Sequence, residues 1–495
     1  MPTWAMVILV FGVNFAVWGT VGLIRLVDQL TVGRLRSRRR AATLAAASHE
    51  NVVALRHDPA GRRSRRIHLT VDDVAVLIPA HNEAAVIADS VEAITKLVPR
   101  RNVHVVSDGS TDDTFEIALS CGVKAIKTRQ NVGKAGALKD AIERFKIVER
   151  FPVLMLLDAD TRVQPRYFLA ALRLFDSPKI AAVAGCVKTD TRRMLSPLGN
   201  LLVGHRMRIY SAGQRLMKFG QTSRYVNATP IVPGFASLYR TSVLPAIDIN
   251  PPGLVIEDFN MTFEVYQKAL GKVGFTLGAV AITQDPDNLH DYIRQTRRWA
   301  LGLWQTVRRH PPRLNLFTAM LALMLTELVT SSLLFIFLPL VVAVLIVPDL
   351  VSSAVTWPVF GPVYAVVSSH MNLTRILYGV VVPDLALTCL VAAVERRPRL
   401  LLSAPFFPFM RVLDAAVGLS AIPLAWLASS NGVWRSPTRR RAPGLHARLA
   451  PRPVPATIIP EIRSAAYLIE PAVAPAAAQQ AAAYGQEAES HHASG

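Results

Sequence analysis

The sequence predicts an α/β domain with a mostly parallel sheet, set between α-helical membrane segments. Three observations carry this expectation. Between residues 73 and about 310, short aliphatic runs alternate with segments of helical spacing, the pattern of an α/β domain. The runs at 74–79, 103–107 and 153–157 are short, mainly β-branched or aliphatic, and end abruptly in polar residues, as strands covered on both faces do. Apolar residues make up 51% of the 495, and they gather into stretches long enough to cross a bilayer.

Taken in order, residues 3–24 are nearly all apolar or small, with Asn14 the main exception. That is close to the roughly 20 residues that span a bilayer. A secretory signal opens on a basic segment and has a shorter apolar core; Met1–Trp4 carries no basic side chain, so residues 1–27 are expected to be a retained anchor. Residues 28–72 read as a basic, polar linker, with arginines from Arg34 to Arg40 and from Arg56 to Arg66. The positive-inside rule then puts the N-terminus outside and the domain at 73–312 in the cytosol, at the plasma membrane. Inside that domain, 84–97, 112–121 and 133–145 have helical spacing. Residues 313–430 form a C-terminal membrane region, with spans at 316–347 and 375–394. The stretch 351–369 is marginal as a span. The stretch 400–427 is apolar but interrupted by Pro405, Pro408, Arg411, Asp414 and Pro423, and is expected to be interfacial or re-entrant in part. Glu327, Arg375 and Asp384 lie in or beside apolar segments, where charge marks either function or snorkelling at a helix end. Residues 431–495 are basic and then rich in Ala and Pro, the composition of a disordered tail.

The net charge of +20 invites a nucleic-acid reading. Much of the excess lies beside membrane segments, in the Arg34–Arg66 stretch and again from Arg435 to Arg452, where basic side chains meet anionic headgroups. No recognition motif accompanies it, so membrane lipids and not nucleic acid are the expected partners. Cys121, Cys186 and Cys389 have neither metal spacing nor a disulfide framework.

Ligands of such sheets bind at the carboxyl ends of the strands, and the polar clusters fall there. Asp158-Ala159-Asp160 closes a strand; two carboxylates at i and i+2 suit a hard divalent ion that keeps substrate phosphates in its shell, although a lone D-x-D is more often a solvated turn. Asp108-Gly109-Ser110-Thr111 follows another strand. There Asp108 could accept from a base N–H, while Ser110 or Thr111 caps the next helix. Lys134 stands near a helix N-terminus, a place that favours phosphate, with a solvated lysine as the plain alternative. Glu257-Asp258 opens an amphipathic stretch, where carboxylates stabilise a first helical turn or where Asp258 deprotonates a hydroxyl. Pro233-Gly234-Phe235 reads as a tight turn, either a plain one or one at which backbone comes close to a ligand. Gln295, Arg298 and Trp299 combine hydrogen-bond donors with a flat apolar platform, shortly before the apolar run at Leu316.

In this order, Ile78–Glu83, Ser107–Thr114, Asn131–Leu138, Asp158–Asp160, Ile256–Asp258 and Gln295–Trp299 resemble the processive family 2 glycosyltransferases, the cellulose, chitin, hyaluronan and poly-N-acetylglucosamine synthases. The resemblance covers residues from about 74 to 299. It implies a GT-A fold, a UDP-sugar donor with glucose or N-acetylglucosamine expected, and Mg²⁺ or Mn²⁺ as cofactor. By the same resemblance, Glu83 and Asp108 contact the nucleoside, Lys134 lies near the diphosphate, and Asp158 helps bind the nucleotide sugar. Asp160 ligates the metal, Asp258 is the base with Glu257 beside it, and Gln295, Arg298 and Trp299 hold the acceptor end and the departing diphosphate. The implied product is a β-linked polysaccharide, formed with inversion and handed to the membrane, with accessory export subunits as further partners. Transfer of one sugar to a lipid is the alternative, and a degenerate transporter or scaffold a third reading. Intact acids at positions 158, 160 and 258 speak against the last.

Overall fold

The computed structural model describes residues 2–50, 68–191 and 195–427, with the backbone alone for 32–50. The predicted basic flank and tail beyond residue 430 lie outside the described residues.

An eight-stranded sheet organises the domain. Its strands are β1 (Val74–Ala80), β2 (Val103–Ser107), β3 (Lys124–Lys127), β4 (Val153–Leu157), β5 (Arg162–Val163), β6 (Ile180–Thr189), β7 (Ala236–Arg240) and β8 (Lys272–Thr283), in the order β3-β2-β1-β4-β7-β6-β8-β5. Alternate side chains of a strand face opposite sides, and β1 uses both. Val74, Val76 and Ile78 pack under the Ile87–Thr95 and Thr114–Ser120 helices, beside Ile87, Val91, Ile94 and Ala118. Ala75 and Leu77 face the Gly133–Arg144 helix through Ala137, Leu138, Ala141 and Ile142. All residues of β1, β2 and β4 are buried. This explains why their sequences lack a polar face.

The expectation of a mostly parallel sheet holds for one half only. β3, β2, β1 and β4 are parallel neighbours. β7 then runs antiparallel between β4 and β6, and β5 is antiparallel to β8, which itself pairs parallel with β6. A strand buried on both faces looks the same in either direction, so its composition could not reveal the reversal. The mixed sheet with helices on both faces is a GT-A fold.

Within the expected linker at 28–72, the first helix continues to Glu50. One local expectation is corrected. Ser110 and Thr111 do not cap the Thr114–Ser120 helix; Asp112 Oδ1 accepts from Thr114 N at 3.1 Å instead, while Ser110 binds Ser107 Oγ and Asn82 N.

Four helical stretches among the described residues are long and apolar enough to cross a membrane: Thr3–Thr31, Leu316–Leu350, Leu373–Val394 and Pro398–Leu427. They mark the chain as a membrane protein. Residues 351–369 hold only the short Ser352–Thr356 and Phe360–His370 helices. The first span breaks at Gly12 (φ 80). The amides freed there are met by Glu327 of the second span, whose Oε1 accepts from Val13 N at 2.6 Å and Asn14 N at 3.1 Å. Irregular backbone in a bilayer needs such an internal partner. Asp384, in the third span, is buried and takes two bonds from Arg208, at 2.5 and 2.6 Å, and one from Arg411 at 3.1 Å. Arg375 is on the surface, bonded to the His370 carbonyl. Glu327 and Asp384 thus hold helices together, and Arg375 does not.

Candidate active site

The carboxyl ends of β1, β2 and β4 and the N-terminus of the Glu257–Gln267 helix converge. Lys134, in the first turn of the Gly133–Arg144 helix, reaches Asp158 Oδ1 at 2.9 Å and Glu257 Oε1 at 3.0 Å. Asp258 Oδ2 accepts from Gly234 N at 2.6 Å. A Cβ at Gly234 would lie 2.5 Å from Asp258 Oδ1 and 2.9 Å from Lys134 Nζ. Pro233-Gly234-Phe235 is therefore a close backbone approach to the acidic cluster, not a plain turn. Phe235 also ties down β4, since its carbonyl accepts from Asp158 N at 3.0 Å.

Three carboxylates around one ammonium set the electrostatics. Burial disfavours charge on Lys134, but Asp158, Glu257 and Asp258 outweigh it and hold the ammonium well above its ordinary pKa. Burial also opposes ionisation of Glu257, yet Lys134, its own backbone N–H and a hydrogen bond with Asp258 bring its pKa below normal. Asp158 is raised, by burial first. Asp258 is pushed up to about 8, by burial and then by the charge of Glu257. Neighbouring Glu257 and Asp258 are thus pushed in opposite directions, the pattern by which environment separates two carboxyl groups.

Asp160 is buried and accepts from Thr161 Oγ1 at 3.2 Å. Among the described residues no three His, Cys, Asp or Glu side chains gather as a metal cage. A pair of carboxylates at a strand end still suits Mg²⁺ or Mn²⁺, which fill their shells with water and substrate phosphates. Asp108 is buried; its Oδ1 accepts from Thr128 Oγ1 and Val132 N, both at 2.9 Å, while its buried Oδ2 has no hydrogen-bond partner among the described residues. It therefore pins the loop leading to Lys134. Gly109 (φ +56) is required beside it, because a Cβ would sit 2.4 Å from Asn131 N. Glu83 is buried at the end of β1, its backbone N donating to Thr114 Oγ1 at 2.8 Å.

Gln295, Arg298 and Trp299 are half-buried on the Leu289–Arg309 helix. One turn further on, a Cβ at Gly302 would lie 2.9 Å from Ile256 Cβ, and Gln305 Oε1 accepts from Val255 N at 3.0 Å. The helix therefore packs directly against the segment that presents Glu257 and Asp258. Gln295 Oε1 is buried with no hydrogen-bond partner among the described residues. Four residues that sequence reasoning missed complete this side: Arg206, Tyr210, Asp285 and Tyr292. Tyr210 donates to Asp285 Oδ1 at 2.9 Å and packs 6.5 Å from the Trp299 ring. Burial, with Asp160 adding its charge, raises Asp285 to about 6. Tyr292 could have been found, since it stands three and seven residues before Gln295 and Trp299, on the same helical face.

Residues 72–302 match the family model described as glycosyltransferase like family 2. The chain is 23% identical over 257 residues to poly-beta-1,6-N-acetyl-D-glucosamine synthase of Staphylococcus epidermidis, covering 49% of this chain and 59% of that protein. It is 27% identical over 241 residues to the probable glycosyltransferase YdaM of Bacillus subtilis, covering 46% and 54%. The matches thus span little more than half the length of these relatives. Among solved structures, a mannosyltransferase of Pyrobaculum calidifontis in complex with GDP-Man and Mn²⁺ superposes with a TM-score of 0.42 at 14% identity, over 79% of this chain and 99% of that one. Residues 72–302 thus carry a domain of the family 2 glycosyltransferase type.

Proposed function

We propose that this protein is a multi-pass membrane enzyme, its catalytic domain in the cytosol, that transfers a sugar from a UDP-sugar to a growing β-linked polysaccharide with inversion. The observation that carries the reading is the packing of Gly302 on Ile256. By it the Gln295–Trp299 helix, which leads into the second apolar span, packs against the segment that presents the Glu257–Asp258 pair. The name of the staphylococcal relative makes UDP-N-acetylglucosamine the first donor to try, with UDP-glucose next.

Asp258 is the base. Its carboxylate form takes the proton of the attacking hydroxyl, while Gly234 N–H fixes its second oxygen. Glu257 stays ionised against Lys134 and so keeps the Asp258 pKa high between turnovers. In this reading Lys134 exchanges carboxylate partners for the leaving diphosphate, and Asp108 and Glu83 hold the nucleoside. Asp160 would hold the divalent ion, with Asp158 helping to bind the nucleotide sugar, and the ion when bound would neutralise charge developing on the diphosphate. Gln295, Arg298 and Trp299 hold the acceptor end of the chain.

Incubating the membrane-embedded protein with labelled UDP-sugars and Mn²⁺ or Mg²⁺ tests this. The expected result is nucleotide release with a polymeric product from one donor. Only single-sugar lipids would establish the alternative transfer, and no release from any donor would sink the enzymatic reading.

A further inference from the structure

Arg206 is 3% exposed and lies on the Pro197–Ala212 helix. Its guanidinium is centred 4.3 Å from the Tyr292 ring and 4.5 Å from the Trp299 ring. It also donates to Thr296 Oγ1 at 2.5 Å. Tyr292, Thr296 and Trp299 follow one another along a single face of the Leu289–Arg309 helix, so one guanidinium grips two turns of it. The grip is anchored from behind. Tyr292 OH donates to Asp414 Oδ1 at 2.8 Å, and the other oxygen of Asp414, in the fourth apolar span, meets Nε2 of His205, the neighbour of Arg206, at 2.9 Å.

We infer that Arg206 is a positioning residue for the acceptor: it fixes the Trp299 indole from one face and leaves the other face for a sugar ring. This rests on the reading of Gln295, Arg298 and Trp299 as the acceptor site. A buried arginine could be no more than a satisfied core cation, but three features go further. Its partners are the aromatic face of the proposed platform itself. A planar cation stacked on an indole both orients the ring and withdraws from its face, which a lysine cannot do in the same way. Close by, Gln295 Oε1 is buried without a hydrogen-bond partner among the described residues, as is Nε of Arg206 itself. Unsatisfied buried polar groups are rare unless a ligand completes them, and a hydroxyl-rich ring beside the indole is of the chemistry to do so.

The experiment compares R206M, R206K, W299A and the R206M/W299A double variant of the full chain in lipid nanodiscs. It uses the donor that supports turnover and an acceptor oligosaccharide of the product. Acceptor KM, donor KM and nucleotide release without acceptor are measured for each. R206M is expected to raise acceptor KM about tenfold, a cation–π contribution at the desolvated end of its range, with donor KM and acceptor-free nucleotide release within about twofold of the parent. R206K, which keeps charge and packing volume and guards against a folding defect in R206M, should raise acceptor KM by a smaller factor. The double variant should be no worse than W299A, because Arg206 acts through that ring. An unchanged acceptor KM in R206M and R206K alongside an impaired W299A overturns this inference alone. Equal losses in donor and acceptor KM, or multiplying losses in the double variant, overturn it as well, as the marks of a merely structural role. An unchanged acceptor KM in W299A overturns the acceptor reading and this inference with it.

Discussion

The two sides of the candidate site are built from different materials. On one side Lys134 meets Asp158 and Glu257 through contacts of 2.9 and 3.0 Å between full charges, with Asp258 held beside them by Gly234 N, on the ends of strands and the first turns of helices. On the other, Arg206, Tyr210, Tyr292 and Trp299 meet through ring and guanidinium contacts of 4.3 to 6.5 Å, on helices braced against the fourth apolar span by Asp414. The first side is tuned by charge, so protonation and charge-removing substitutions should dominate it. The second is tuned by shape, and should respond first to changes in the membrane helices. In the proposed function the difference divides the labour: the tightly paired acid cluster serves chemistry, and the looser aromatic surface serves the acceptor.

The sharpest separation comes from Asp258→Asn. Loss of a general base costs about 10²–10⁴ in rate, so transfer should fall by about 10³ while donor affinity, read by nucleotide titration, stays within a few-fold. A parallel collapse of donor binding would mean that the acid cluster acts as one structural unit and not as a base with supports. Lys134→Met should come next. It strips the counter-charge from Asp158 and Glu257, and breaking a buried pair costs about 3–5 kcal/mol. Lower thermal stability and weaker donor binding are expected together. A stable variant with normal donor affinity would remove Lys134 from the diphosphate role.

Protonation tests the same side without mutation. Asp258 is held at about 8 by burial and by Glu257, and only its carboxylate form can accept a proton. The logarithm of kcat/KM should therefore rise with unit slope as pH increases towards about 8 and then level off, and the Glu257→Gln variant should move this limb to lower pH. A flat profile between pH 6 and 8 would contradict the assignment of Asp258 as base.

The charged side was the more legible in the sequence, for a physical reason. Its residues sit where apolar strands stop, so Asp108, Asp158 and Asp160 announce themselves by contrast, and Glu257 and Asp258 by opening a helix. Lys134 was legible as a helix N-terminal residue, but its pairing with Glu257 joins positions that no periodicity links. The aromatic side was legible only where it lies on one helix. Arg206 contacts Thr296 across 90 residues and His205 contacts Asp414 across 209, and neither pairing leaves a pattern in either segment. Asp414 read as an interruption of an apolar stretch, when its interruption is its function. The antiparallel β7 was hidden likewise, by burial on both faces. Gly234 looked like any turn glycine until the Asp258 carboxylate was found 2.5 Å from where its Cβ would be.

The smallest expected effect tests whether the aromatic side is set from the membrane. Tyr292→Phe keeps the ring under Arg206 and removes only the hydroxyl that donates to Asp414 at 2.8 Å. A hydrogen bond to a charged group contributes about 1.5–3 kcal/mol, here shared with the His205 contact that remains. Acceptor KM should rise about three- to tenfold, with donor KM and the pH limb unchanged, because no member of the acid cluster touches this bond. If Tyr292→Phe instead shifts the pH limb, the two sides communicate through the Leu289–Arg309 helix, whose Gly302 lies against Ile256. The division drawn above would then be one of construction and not of function.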